Sequence, residues 1–155
     1  MANELSTLGV TVHYCVETTA GTRPTTGYTK VANIKATPDF SAAPEGIEVT
    51  DLEETNIRRY IPGLHDLGDS LAFTANLTSA LITAWSAAVT AANAGWALGK
   101  ATWWEIKIPN LKSFYFSGLP AELGVSAMDV NAPLETECHI FPTGFHGFDT
   151  ASTSA

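Results

Sequence analysis

Helical periodicity appears in only one clear stretch of this chain, directly after its cleanest strand pattern. Residues 70–77 alternate strictly, with Leu71, Phe73, Ala75 and Leu77 on one side and Ser70, Ala72, Thr74 and Asn76 on the other. That is the period-two signature of a strand with one buried face. The period then changes. Leu81, Trp85, Ala88, Val89 and Ala92 recur at three- and four-residue spacing, which predicts a helix over 78–94, capped by Thr78 or Ser79 and ended by Gly95. With one helix to work with, the chain must build its core from sheets.

The remaining segments read accordingly. From Leu8 the chain alternates Leu8, Val10, Val12, Tyr14 and Val16 against Thr11, His13 and Cys15. Residues 30–37 (KVANIKAT) read as one weaker strand ended by Pro38, and 47–50 as a short one. In 102–109, Trp104, Ile106 and Ile108 oppose Trp103, Glu105 and Lys107, and 110–112 is short enough to turn a hairpin into 113–117. Residues 118–124 (GLPAELG) have the composition of a loop, and 125–130 and 134–141 that of a further strand pair. Leu134, Thr136, Cys138 and Ile140 should face the core, with Glu135, Glu137 and His139 outward. About seven short strands and one helix predict a mainly β fold: a single antiparallel β-sandwich or barrel with one flanking α-helix. The polar ends, 1–7 and 144–155, read as flexible N- and C-terminal arms, with Phe145 and Phe148 as anchors in the second.

Residues 46–69, GIEVTDLEETNIRRYIPGLHDLGD, fit neither strand nor helix. The segment is rich in acid, yet it carries Leu52, Ile57, Tyr60, Ile61 and Leu64. A solvated loop has little use for such groups, and a core strand does not bury so many charges. Pro62-Gly63 is its turn signal. Long loops inside compact domains are commonly functional. A protruding loop that becomes buried against another molecule reconciles both halves. Its acidic head (Asp51, Glu53, Glu54) and basic pair (Arg58, Arg59) suit head-to-tail contact between copies. The same charges also suit an ion-pair network within one long hairpin.

Composition narrows the function classes. The net charge is −8, from sixteen acids and eight bases, and only Arg58 and Arg59 are adjacent cations. Phosphate-backbone binding needs basic clusters, so nucleic-acid binding is disfavoured. Charged residues make up 15% of the chain against about 25% in ordinary domains, as expected of a surface covered by partners or one rich in Ser and Thr. The opening residues lack signal-peptide features, and the apolar run 80–92 is too short and interrupted to cross a bilayer. A cytosolic chain without membrane insertion is the expectation, with Cys15 and Cys138 as reduced strand residues.

Catalytic and metal patterns are weak. There is no GxSxG elbow, and His13, His65, His139 and His146 are scattered. His139, His146 and Asp149 match no zinc spacing, and 118–124 lacks the Lys of a phosphate loop. No enzyme, metal or cofactor is expected. The alternative class is a β-sandwich binding module, an adhesin or carbohydrate-binding domain that uses Trp103 and Tyr115. An exposed Trp103 suits a subunit contact at least as well.

The segment TDLEETNIRRYIPGLHDLGD, followed by an alternating strand and an Ala-rich helix, resembles the tail tube (major tail) protein of long-tailed bacteriophages. The run WWEIKIPNLKSFYFSGLPAELGVSAMDVNAPLETECHIFPTG is similar to that family's closing hairpins, so the likeness spans about residues 8–145. The resemblance implies a structural virion protein that polymerises as stacked hexameric rings into a hollow tube. The DNA genome would transit that tube without specific binding. It implies copies of itself, tape-measure and tail terminator or tip proteins as partners, with assembly in the host bacterial cytoplasm. Subunit-interface residues would then be Asp51, Leu52, Glu53, Glu54, Arg58, Arg59, Tyr60, Ile61, Leu64, Phe145 and Phe148. An acidic lumen lets DNA slide, and Glu105, Glu135 and Glu137, opposite the apolar strand faces, are the lumen-facing candidates.

Overall fold

A computed structural model of the chain describes residues 8–41, 44–64 and 70–153. The expected N-terminal arm (1–7), the last two residues of the expected C-terminal arm (154–155) and the end of the long loop (65–69) lie outside these residues. Among them, one helix accompanies nine strands: β1 (Thr11–Val16), β2 (Thr29–Val31), β3 (Ile34–Ala36), β4 (Gly46–Glu48), β5 (Tyr60–Pro62), β6 (Leu71–Asn76), α1 (Ser79–Ala97), β7 (Thr102–Lys107), β8 (Ser113–Pro120) and β9 (Glu135–Asp149). Seven strands form one sheet in the order β2-β1-β7-β8-β9-β6-β3, and every pairing is antiparallel. The fold is mainly β with a flanking helix, as the sequence predicts, and takes the form of a near-closed barrel.

The closure comes from residues 32–33. KVANIKAT is two strands rather than one, because Asn33 adopts a positive φ of 64°, a conformation asparagine tolerates better than most residues. Beyond it the chain pairs with a different neighbour: Val31 sits opposite Val12 of β1, whereas Ile34 sits opposite Ala75 of β6. Consecutive strands thereby form the two edges of the sheet and draw them together. Both edges are three residues long, which limits the unpaired backbone offered to other chains.

Alternation places the core as expected in β6, where Leu71, Phe73 and Ala75 are buried. Leu81, Trp85, Ala88, Val89 and Ala92 form the buried stripe of α1, and the Thr78 hydroxyl caps it by accepting from the Leu81 amide. Trp85 packs against Trp104 at 5.4 Å between ring centroids. Each indole N–H has a backbone acceptor, Ala121 O at 2.7 Å and Gly118 O at 3.0 Å. Phe40 closes the far side of the core against Phe114 and Phe116, both at 4.9 Å.

Several boundaries differ from the sequence reading. The first strand begins at Thr11, and Leu8 is exposed. Gly95 does not stop the helix: it is buried within α1, where a Cβ would lie 2.5 Å from Val16 Cγ1. Its missing side chain lets the helix approach β1, and the turn out of the helix uses Gly99 at positive φ. Residues 118–120 belong to β8, since Gly118 lets the backbone pass Ile140 and Phe141. Pro62 lies in β5 rather than in a turn. No strand forms over 125–130, and Leu134 is half-exposed instead of core. The tail expected after 143 is strand: β9 runs to Asp149, with Gly147 opposite Tyr115 and Phe148 opposite Phe114.

Candidate assembly surface

The segment 45–64 is a hairpin separate from the main sheet. Ile47 pairs with Ile61 and Glu48 with Tyr60. The pairing continues through Val49 N to Arg59 O at 2.9 Å and Arg59 N to the Thr50 hydroxyl at 2.8 Å. Asp51 turns the tip by accepting the amides of Glu53 and Glu54 at 3.1 and 3.2 Å. Glu54 accepts the Asn56 amide and, from Arg59, Nε at 3.2 Å and Nη2 at 3.0 Å. The Asn56 amide and then the Arg59 guanidinium hold the Glu54 carboxyl below its ordinary pKa. Arg58 reaches Glu48 at 3.9 Å. The basic pair thus finds its carboxylates within the arm, which is the ion-pair alternative left open by the sequence.

The apolar residues of the arm have no such satisfaction. Ile47, Leu52, Ile57, Tyr60, Ile61 and Leu64 are all exposed. An isolated two-stranded hairpin is marginal in water, and its ion pairs, exposed to solvent, add little. Phe145 and Phe148 also present exposed rings, packed edge-on to Phe114 at 5.4 and 5.3 Å.

A second exposed apolar segment, missed in the sequence, lies in the connection between β8 and β9. Val125, Met128 and Val130 are exposed, the last at 90%. The segment is tied at its ends by the Thr136 hydroxyl donating to Gly124 O (2.9 Å) and by Leu77 N donating to Leu134 O (3.0 Å).

The three lumen candidates separate. Glu105 is completely buried, a correction caused by chain that crosses its face of the sheet. Residues 150–153 run over that face as a strap: Ser152 donates its amide (2.9 Å) and hydroxyl (2.6 Å) to Glu105, and Tyr115 donates to both Glu105 (2.9 Å) and Thr150 O (2.7 Å). Arg23 covers the Tyr115 ring at 4.2 Å and pairs with Asp149 at 2.7 Å. Burial pushes the Glu105 carboxyl up, but the bonds from Ser152 and Tyr115 outweigh it and leave the group below the ordinary range. Glu135 is partly buried and pairs with Lys35 at 2.6 Å. Glu137 is exposed beside His139.

Trp103 and Tyr115 do not form an exposed platform. Tyr115 is buried, and Trp103 donates to Glu17 at 2.9 Å and meets the His146 ring edge-on. Glu17, unremarked in the sequence, also accepts the amides of Ala101 (2.8 Å) and Gly21 (3.1 Å). Its burial raises the pKa, and these three donors together bring it below the usual value.

No protein-family model matches the chain, and no curated protein sequence does. Among solved structures, the chain is similar to one in the cryo-EM structure of the anti-feeding prophage (AFP) baseplate, 6-fold symmetrised. The TM-score is 0.60 at 10% identity, and the match covers 95% of this chain and 97% of that one. At that identity the likeness is one of fold, carried by the whole length of both chains.

Proposed function

We propose that this protein is a structural subunit of a phage-type tail, polymerising as stacked rings into a hollow tube that conducts DNA. The observation that carries this reading is the 45–64 hairpin, which stands apart from the main sheet and exposes Ile47, Leu52, Ile57, Tyr60, Ile61 and Leu64. The end-to-end likeness to a chain of a six-fold baseplate supports it, as does the sequence resemblance to tail tube proteins. Rings of six would pair surfaces around an axis, and stacking, a heterologous contact, would extend without closing. The net charge of −8 suits a bore along which phosphates slide, with Glu137 as the exposed candidate of the original three. Other tail proteins that set length and cap the ends are the expected partners.

Negative-stain microscopy of concentrated protein tests this directly. Rings or hollow tubes are the expected result. Single compact particles at every concentration would overturn it.

A further inference from the structure

The barrel stops short of closure along one seam. β2 pairs with β1 no further than Val12, and β3, the last strand of the sheet, turns away to β6. Between the start of β1 and β3 lies a cleft of about 560 Å³, with Leu8, Val10, Ile34, Ala36, Ile108 and Leu111 in its lining. The lining holds one charged side chain, Lys35.

Lysines gather around this cleft. Lys107 stands between the lining residues Ile106 and Ile108 and opposite Thr11, Lys30 is opposite His13, and Lys112 follows Leu111. Burial and then Lys107 push the His13 imidazole below its ordinary value, with Lys30 acting the same way against Glu105, so these cations share one field. Four of the chain's five lysines are thus on this side of the barrel. Among the described residues only Lys35 of the four has a carboxylate partner, Glu135.

The arm has the opposite charge. Residues 45–64 hold five acids against two bases. Glu48 and Glu54 match those bases within the hairpin, which leaves Glu45, Asp51 and Glu53 in excess. Leu52 at its tip and Leu111 at the cleft are both exposed, so the hairpin does not fill the cleft of its own chain. The connection 122–134 has only two acids and is tied down at its ends, and α1 has no charged residue at all.

We propose that the 45–64 hairpin of one copy seats in the seam cleft of a second copy, its apolar tip among the aliphatic side chains and its carboxylates toward the lysines. This rests on the assembly reading and names the surface that receives the arm. An apolar centre inside a rim of opposite charges is the arrangement that gives a contact both affinity and register.

Cross-linking tests the contact directly. Chains carrying Leu52→Cys and chains carrying Leu111→Cys, mixed at assembling concentration and mildly oxidised, should give a disulfide-linked species of twice the chain mass. Wild type, with Cys15 and Cys138 alone, should not. A charge-swap cycle read by sedimentation complements this. Glu53→Lys and Lys112→Glu, at exposed positions, should each raise the concentration needed for assembly about tenfold, and their combination should bring it back toward wild type. If wild type assembles but the mixture gives no cross-link, or the combined variant is no better than the product of the separate ones, this contact is wrong while the assembly reading stands. A disulfide formed within monomers of a Leu5→Cys, Leu111→Cys chain would make the N-terminal residues the occupant and overturn it equally. If wild type never assembles, both fall.

Discussion

Glu105 in the middle of β7 binds both the amide and the hydroxyl of Ser152, at 2.9 and 2.6 Å. This pair ties the end of the described chain to the centre of the sheet. The strap adds no large apolar side chain, so its hold is polar: the carboxylate is joined by the Tyr115 hydroxyl at Thr150 O and the Thr153 amide at Thr25 O. Glu105→Gln should keep the shape but turn a donor toward Ser152 or Tyr115. The expected cost is about 1–3 kcal/mol, with faster carboxypeptidase trimming of residues 150–153. Unchanged trimming would show that the strap is held elsewhere.

Acid should loosen the same region. Glu17 and Glu105 both titrate below their ordinary values when folded, so the unfolded chain binds more protons as pH falls. Their stabilising contribution is complete above the ordinary carboxylate pKa, about 4.3, and is lost as pH drops through the folded values. Thermal melts should be flat with respect to these groups from pH 6 to 8 and fall below about pH 4. Glu17→Gln should flatten part of that acid limb.

Gly95 illustrates a glycine kept for proximity. Alanine there would gain up to about 1 kcal/mol of helix propensity. Its Cβ, 2.5 Å from Val16 Cγ1, would cost about 1–3 kcal/mol by overpacking. Gly95→Ala should therefore lower the melting temperature, and adding Val16→Ala should recover part of the loss. A stabilised single variant would contradict the close approach.

Thiol reactivity reports on the two strands that carry cysteine. Burial raises the Cys138 thiol to about 11 and also raises the half-buried Cys15. At pH 8 a thiol reagent should label Cys15 slowly and Cys138 only on unfolding. Rapid labelling of two thiols in native buffer would contradict the packing of β9.

What the sequence disclosed was what periodicity reports. Phe73 and Trp85 lie on apolar stripes set by local spacing, and both are in the core. Glu17 and Glu105 escaped because their donors are remote: Trp103 is 86 positions from the first, Ser152 is 47 from the second. A carboxylate's burial is decided by such partners, not by its neighbours in sequence. Asn33 hid a break because one left-handed residue redirects a strand without disturbing the apolar pattern. The apolar residues of 125–130 read as a strand in sequence but form none, because apolar spacing does not reveal whether the covering partner is in the same chain. The long arm was legible as a separate surface element because its large apolar groups fit no core strand, whereas its charges, equally suited to a neighbour or to an internal network, pair within the hairpin.

That arm carries the central claim, and sedimentation velocity over a concentration series tests it most directly. Wild type should move from monomer to large assemblies as concentration rises. A Leu52→Asp, Tyr60→Asp variant, altered at two exposed positions, should melt at the same temperature and stay monomeric throughout. A wild type that remains monomeric, or a variant that sediments like it, would contradict the account.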